Sequence, residues 1–313
     1  HRRHPYCFRL SPTRSKATPV GFRHSAASRS AKCAHKPPRP ARRLHQDLSL
    51  LPDRSSLLDT WWQLHEGGNL EWAAGEAERE ALRAKVAGVL DAGYEARWLS
   101  RGEALRLEPD IDPAELPADG IAYFPREGWI EPTRLVGHLL SRAVARGAEL
   151  VRNDAVTGLE RSGGLVRAVR LASGRQLPAD AVVNCAGPQA ADVAALAGLM
   201  LPMRNTRGVL VYTSPVAVSV SRVIHAPRVH LRPDGAGRLL LHTHDLDAAV
   251  SVSDTGVTRV DRAAVQTVLQ AARMLYPGSH AATVENVRVG ERPIPRDGLP
   301  VLGRAVELPN FHF

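Results

Sequence analysis

Residues 179–198 read Ala-Asp-Ala-Val-Val-Asn-Cys-Ala-Gly-Pro-Gln-Ala-Ala-Asp-Val-Ala-Ala-Leu-Ala-Gly. The apolar run 181–183 suits a short strand. Small residues follow at Asn184, Cys185, Ala186 and Gly187, and Pro188 stops the strand. Ala190, Val193, Ala194 and Ala197 then recur at helical spacing, and Gly198 is placed to end the helix. A strand, a tight small-residue turn and a helix lets backbone approach a ligand closely. Ala and Gly leave room, and a helix start offers free N–H groups. Ordinary strand-to-helix connections share the pattern, so its meaning depends on what surrounds it.

The chain has 313 residues, enough for a substantial core and two domains. Its 44% hydrophobic and 23% charged residues are globular values. No apolar run has the length of a membrane span. Cys7, Cys33 and Cys185 have neither metal-ligand spacing nor a disulfide framework, so a reducing, cytoplasmic location is expected. Cys185 reads as a small buried residue.

The net charge of +9 comes from one end. Residues 1–50 hold twelve Lys and Arg and one acid, Asp47, whereas the rest of the chain is slightly acidic. This segment has almost no apolar periodicity and is expected to be disordered. Three readings compete for it: an organelle transit peptide, a basic arm for nucleic acid, or a stretch that is not selected coding sequence. The near-neutral body argues against nucleic acid as a partner.

Downstream, 76–92 reads as a helix with Leu82, Val86, Val89 and Leu90 on one face. Ser100 and Glu103 form a capping box for a second helix. Pro132 opens an amphipathic helix carrying Leu135, Val136, Leu139, Leu140 and Val144, and Gly147 ends it. A small meander fills 149–178, strands occupy 204–244, and Asp261 caps a helix with Val265, Val268, Leu269, Ala272 and Leu275 inward. The pattern is α/β: a Rossmann-like domain interleaved with an antiparallel-sheet α+β domain. We expect 51–130 and 203–283 in the antiparallel domain, and 131–202 with 284–313 in the other.

Three motifs then stand in order: Glu127-Gly-Trp-Ile-Glu-Pro132, Ala181-Val-Val-Asn-Cys-Ala-Gly187, and Gly290-Glu-Arg-Pro-Ile-Pro-Arg-Asp-Gly-Leu-Pro-Val-Leu-Gly303. Together they resemble the D-amino-acid oxidase family of flavoenzymes, with glycine oxidase and sarcosine oxidase as relatives. The resemblance covers about 66–310. It implies FAD in a partial Rossmann-like domain, a substrate domain over the flavin, and oxidation of an amine or amino acid by hydride transfer to flavin. Two departures stand out. No G-x-G-x-x-G occurs in this sequence, and the chain stops at Asn310-Phe-His-Phe, before the family's closing Gly-rich segment. The chain is therefore expected to be incomplete and to bind FAD weakly or not at all.

By resemblance, Arg292 pairs with the substrate carboxylate, a role suited to a planar fork that stays charged. An ion pair with Asp297 is the structural alternative. His230 falls where relatives place a substrate-facing tyrosine; the alternative is a strand histidine facing solvent. Val156 matches the strand residue whose backbone meets adenine. Ala186 and Gly187 match the turn near the cofactor, and Asp297 and Gly298 the loop beside the flavin; each also suits a plain structural role. Arg292 and Ala186 are expected to be two walls of one cavity. His242 and His244 lie two apart, read as one face of a strand with Asp245 alongside, and no further ligand is spaced to complete a metal site. No metal is expected. The contrasting functional reading is a non-catalytic remnant or binding module that keeps the fold without FAD.

Overall fold

The computed structural model describes residues 7–10, 64–254 and 258–313. The disorder expected for 1–50 lies outside the described residues except at Cys7–Leu10, a strand paired antiparallel with Ala148–Val151. No helix among the described residues is long and apolar enough to cross a membrane.

An eight-stranded sheet organises the molecule. Its order is Val284–Arg292, Thr206–Thr213, Leu239–His242, Val229–Pro233, Val223–Ala226, Asn69–Glu71, Ile121–Phe124, Arg97–Leu99. Only Asn69–Glu71 and Val223–Ala226 run parallel within it. Successive strand side chains point to opposite faces. Val209, Val211, Ile224, Leu231 and Leu241 lie on the inner face and are fully buried. They join Val265, Val268, Leu269 and Leu275 of the Arg262–Leu275 helix in one core. That helix starts where expected, with Asp261 accepting a bond from the Ala263 amide at 2.9 Å. Each fully buried Leu or Ile contributes about 1.5–3 kcal/mol by leaving water.

A second, smaller core lies under the three-stranded meander of Val156–Ser162, Leu165–Leu171 and Gln176–Pro178, with Leu171, Leu177, Ala197, Leu308 and Phe311 inside. The unit at 179–198 folds as read. Val182–Val183 pairs parallel with Phe311–His312, Gly187–Gln189 is a 3₁₀ turn, and Ala190–Leu196 is a helix ended by Gly198 at φ +69°. Cys185 corrects its reading: it is exposed, on the turn rather than in the core. The architecture is the mixed α/β one expected, a Rossmann-like part beside an antiparallel-sheet part. One detail differs. Val284–Arg292 pairs along its length with Thr206–Thr213, so the boundary expected at 284 falls inside the large sheet.

Candidate functional site

The outer face of the large sheet gathers a row of titratable side chains. Cα register puts Glu71 opposite His225, His225 opposite His230, and His230 opposite His242. Four strands thus contribute one row of side chains, all on the face away from the Arg262–Leu275 helix. Ring centroids lie 4.7 Å apart for His225–His230 and 5.7 Å for His230–His242.

Past His242 the chain turns sharply. Thr243 caps a short helix, His244–Ala248, by accepting a bond from the Leu246 amide at 3.0 Å. One turn of helix swings Asp247 back beside His242. Asp247 Oδ1 accepts from the Val209 amide at 2.7 Å, and Oδ2 lies 3.0 Å from His242 Nε2. Arg292 completes the group: Nη1 donates to Asp247 Oδ2 at 2.8 Å and to the Arg207 carbonyl at 2.9 Å, and Nη2 lies 3.1 Å from His242 Nε2. The Arg292 side chain as a whole remains 40% exposed.

The electrostatics follow from burial and partners. Burial opposes ionisation of Asp247, but bonds from Arg292, His242 and the Val209 amide overcome it and hold its carboxyl below the usual range. Burial, with the neighbouring histidines, pushes the His230 imidazole down to about 4. His230 is therefore neutral near pH 7 and presents one donor and one acceptor. At the far end, burial raises the Glu71 carboxyl, but bonds from His225 and Lys85 draw it down to about 2. Beyond this row, Arg232 lies 4.6 Å over the Trp129 ring, which stacks on His65 at 3.6 Å.

The structure brings Arg292 and His230 to the same face, joined through His242. Arg292 pairs with Asp247, not with Asp297. Asp297 accepts from the Leu299 amide at 3.0 Å, and Gly298 (φ +76°) donates to the Pro295 carbonyl at 2.9 Å; both shape the turn after the Arg292 strand. Ala186 donates its amide to Asn184 Oδ1 at 3.2 Å and leads into Gly187 at φ +58°. This turn packs against the Val284–Arg292 strand, and the Pro188 carbonyl accepts from Asn205 Nδ2 at 2.8 Å, next to Thr206 opposite Arg292. Val156 pairs with Leu171 and packs on the smaller core. A surface cavity of about 400 Å³ lined by Trp72, Glu115, Arg228 and Leu275 includes none of these residues.

Sequence reasoning missed Asp247, His225, Glu71 and Gly208. It read His242 and His244 on one strand with Asp245 beside them; the strand ends at His242, and Asp247 is the acid brought in. Thr243 followed by Asp245 and Asp247 was the available signal, since a capping residue and an acidic first turn mark a helix start. Gly208 has no local signal; its role lies in the space it leaves for Arg292.

A family model described as DAO, FAD dependent oxidoreductase, matches residues 21–313. The chain is 25% identical over 237 residues to hydrogen cyanide synthase subunit HcnC of Pseudomonas aeruginosa, covering 75% of this chain and 55% of that protein. It is 29% identical over 247 residues to a glycine oxidase of Geobacillus kaustophilus, covering 78% and 62%. The crystal structure of glycine oxidase from Geobacillus kaustophilus superposes with a TM-score of 0.67 at 26% identity, over 87% of this chain and 70% of that one. The chain therefore spans a little over half the length of the curated relatives it matches. With nearly its whole length matched by one family model, the chain belongs to the DAO family of FAD dependent oxidoreductases.

Proposed function

We propose that the outer sheet face holds an amine or amino acid for oxidation by FAD, with Arg292 gripping the carboxylate and His230 beside it as a neutral hydrogen-bonding group. The observation that carries this reading is Arg292: its guanidinium is anchored by Asp247 and the Arg207 carbonyl, while its side chain stays 40% exposed on the face that also carries His230. A guanidinium already held in place binds a carboxylate with little reorganisation.

Bound FAD supplies the acceptor for the hydride pair, and the protein supplies orientation and electrostatics. The residues fit the flavin-ring side better than the phosphate side. Gly187 and Gly298 hold left-handed turns, and apart from the glycine and its chain neighbours no heavy atom lies within 4 Å of where a Cβ would stand at either. We place the ring side of the cofactor against Ala186, Gly187, Asp297 and Gly298, and adenine against the Val156 backbone. The sequence holds no G-x-G-x-x-G, so no residue of this chain is assigned to the pyrophosphate. A second reading is a non-catalytic remnant or binding module that keeps the fold without bound FAD, since the anchored Arg292 guanidinium can grip a carboxylate with no flavin beside it.

One experiment separates the two. The protein is incubated with FAD, freed of excess, and mixed anaerobically with small amino acids. Bleaching of the bound flavin's visible absorbance supports oxidation. Saturable amino-acid binding with no retained flavin supports the second reading.

A further inference from the structure

His230, His242 and His244 form an almost equilateral triangle. Their ring centroids are separated by 5.7 Å (His230–His242), 5.6 Å (His230–His244) and 5.6 Å (His242–His244). Imidazoles that share one ion, each with nitrogen about 2 Å away, place their ring centres roughly 5 to 5.5 Å apart. The His242–His244 pair, at 5.6 Å, is close to that spacing, and it is this pair rather than His230 whose ligating atoms gather on a shared carboxylate. A carboxylate stands on the same group. One ligating atom each from His242, His244 and Asp247 lies within 4.8 Å of the others.

We propose that His242, His244 and Asp247 form a three-ligand binding site, its fourth position open to water, for a borderline divalent cation such as Zn²⁺. Neutral imidazoles and one carboxylate are the donor set such ions take, in four-coordinate geometry. His242 Nε2 and Asp247 Oδ2, 3.0 Å apart, are already spaced as two neighbouring ligands of one ion. Outer contacts orient the set: the Val209 amide fixes Asp247 through Oδ1, leaving Oδ2 turned toward His242. Arg292 is the opposing charge. Its Nη1 donates to Asp247 Oδ2 and to the Arg207 carbonyl and its Nη2 lies 3.1 Å from His242 Nε2, so a bound ion displaces Nη2 from His242 while Nη1 keeps the Arg207 carbonyl; a carboxylate has lone pairs enough for a guanidinium and a metal together. His244 is exposed and His242 half-buried, so an ion enters without opening the core.

Co²⁺ and Zn²⁺ chlorides are the probes, on the full chain with no flavin or amine present. The outcome is therefore independent of the oxidation reading. We expect one Co²⁺ per chain with the strong visible bands of a four-coordinate ion, displaced by Zn²⁺. His244→Ala and, separately, His242→Gln weaken Zn²⁺ binding by at least roughly tenfold, while His280→Ala, an exposed histidine outside the group, leaves it unchanged. Circular dichroism checks that each variant is folded. Absence of saturable binding overturns the proposal. So does binding that His244→Ala and His242→Gln leave as in the unaltered protein, which marks scattered surface histidines.

Discussion

The Arg292 guanidinium lies across Gly208: a Cβ added there would stand 2.6 Å from Arg292 Cζ and 2.6 Å from Nη2. Gly208 sits on the Thr206–Thr213 strand with an ordinary extended backbone, so glycine is required there by the side chain above it and not by φ.

Gly208→Val therefore displaces the end of Arg292. The flexible end of the arginine moves in preference to the sheet, so unfolding free energy changes by no more than about 1 kcal/mol. Affinity for a small amino acid falls by about 10- to 100-fold, because a misplaced fork no longer meets both carboxylate oxygens. Calorimetric titration alongside chemical denaturation reads both quantities. Unchanged affinity would mean that Arg292 acts elsewhere than on the ligand.

Glu108 predicts the largest stability effect. It is wholly buried and accepts bonds from Ser221 Oγ at 2.8 Å, Arg222 Nη1 at 3.2 Å and Tyr276 Oη at 3.2 Å. Glu108→Ala leaves the buried Tyr276 hydroxyl without its acceptor and Arg222 without its counter-charge, with only the neutral Leu107 carbonyl and Ser221 Oγ as partners, at a cost of about 3–5 kcal/mol. A urea midpoint within experimental scatter of the unaltered protein's would contradict this.

Glu71 sets a pH dependence. Its carboxyl is drawn from an ordinary 4.5 down to about 2 in the folded chain. The unfolded chain takes up that proton first, so the stabilisation from Glu71 is complete above about pH 4.5 and drains away as pH falls toward 2. Glu71→Gln removes this component, and its stability falls less steeply with acid than that of the parent. Parallel curves of stability against pH over that window would show that Lys85 and His225 do not hold the carboxylate.

Local patterns were legible in the chain, and register was not. The Arg262–Leu275 helix, its Asp261 cap and the Ser100–Glu103 capping box follow from spacing within a few residues. The Pro132–Ala145 helix forms too, but Val136, Leu139 and Val144 on its apolar stripe are 53%, 43% and 48% exposed. Periodicity marks an amphipathic helix; it does not say what covers the stripe. The site divides the same way. Arg292 and His230 were visible through motif resemblance. The row Glu71–His225–His230–His242 was not, because it depends on a parallel pairing between strands more than 150 residues apart. Asp247 was hidden by a helix of five residues, shorter than any reliable periodic signal.

The account rests most heavily on Arg292 as the carboxylate-binding group. Calorimetric titration of a small amino acid and of the amine that lacks its carboxyl, with the parent protein and with Arg292→Lys, tests it directly. A charge-assisted bidentate pair is worth about 1.5–3 kcal/mol, so the amino acid should bind roughly 10- to 100-fold more weakly to the variant. The amine should bind equally to both. Equal losses for amino acid and amine, or none for either, would contradict the assignment.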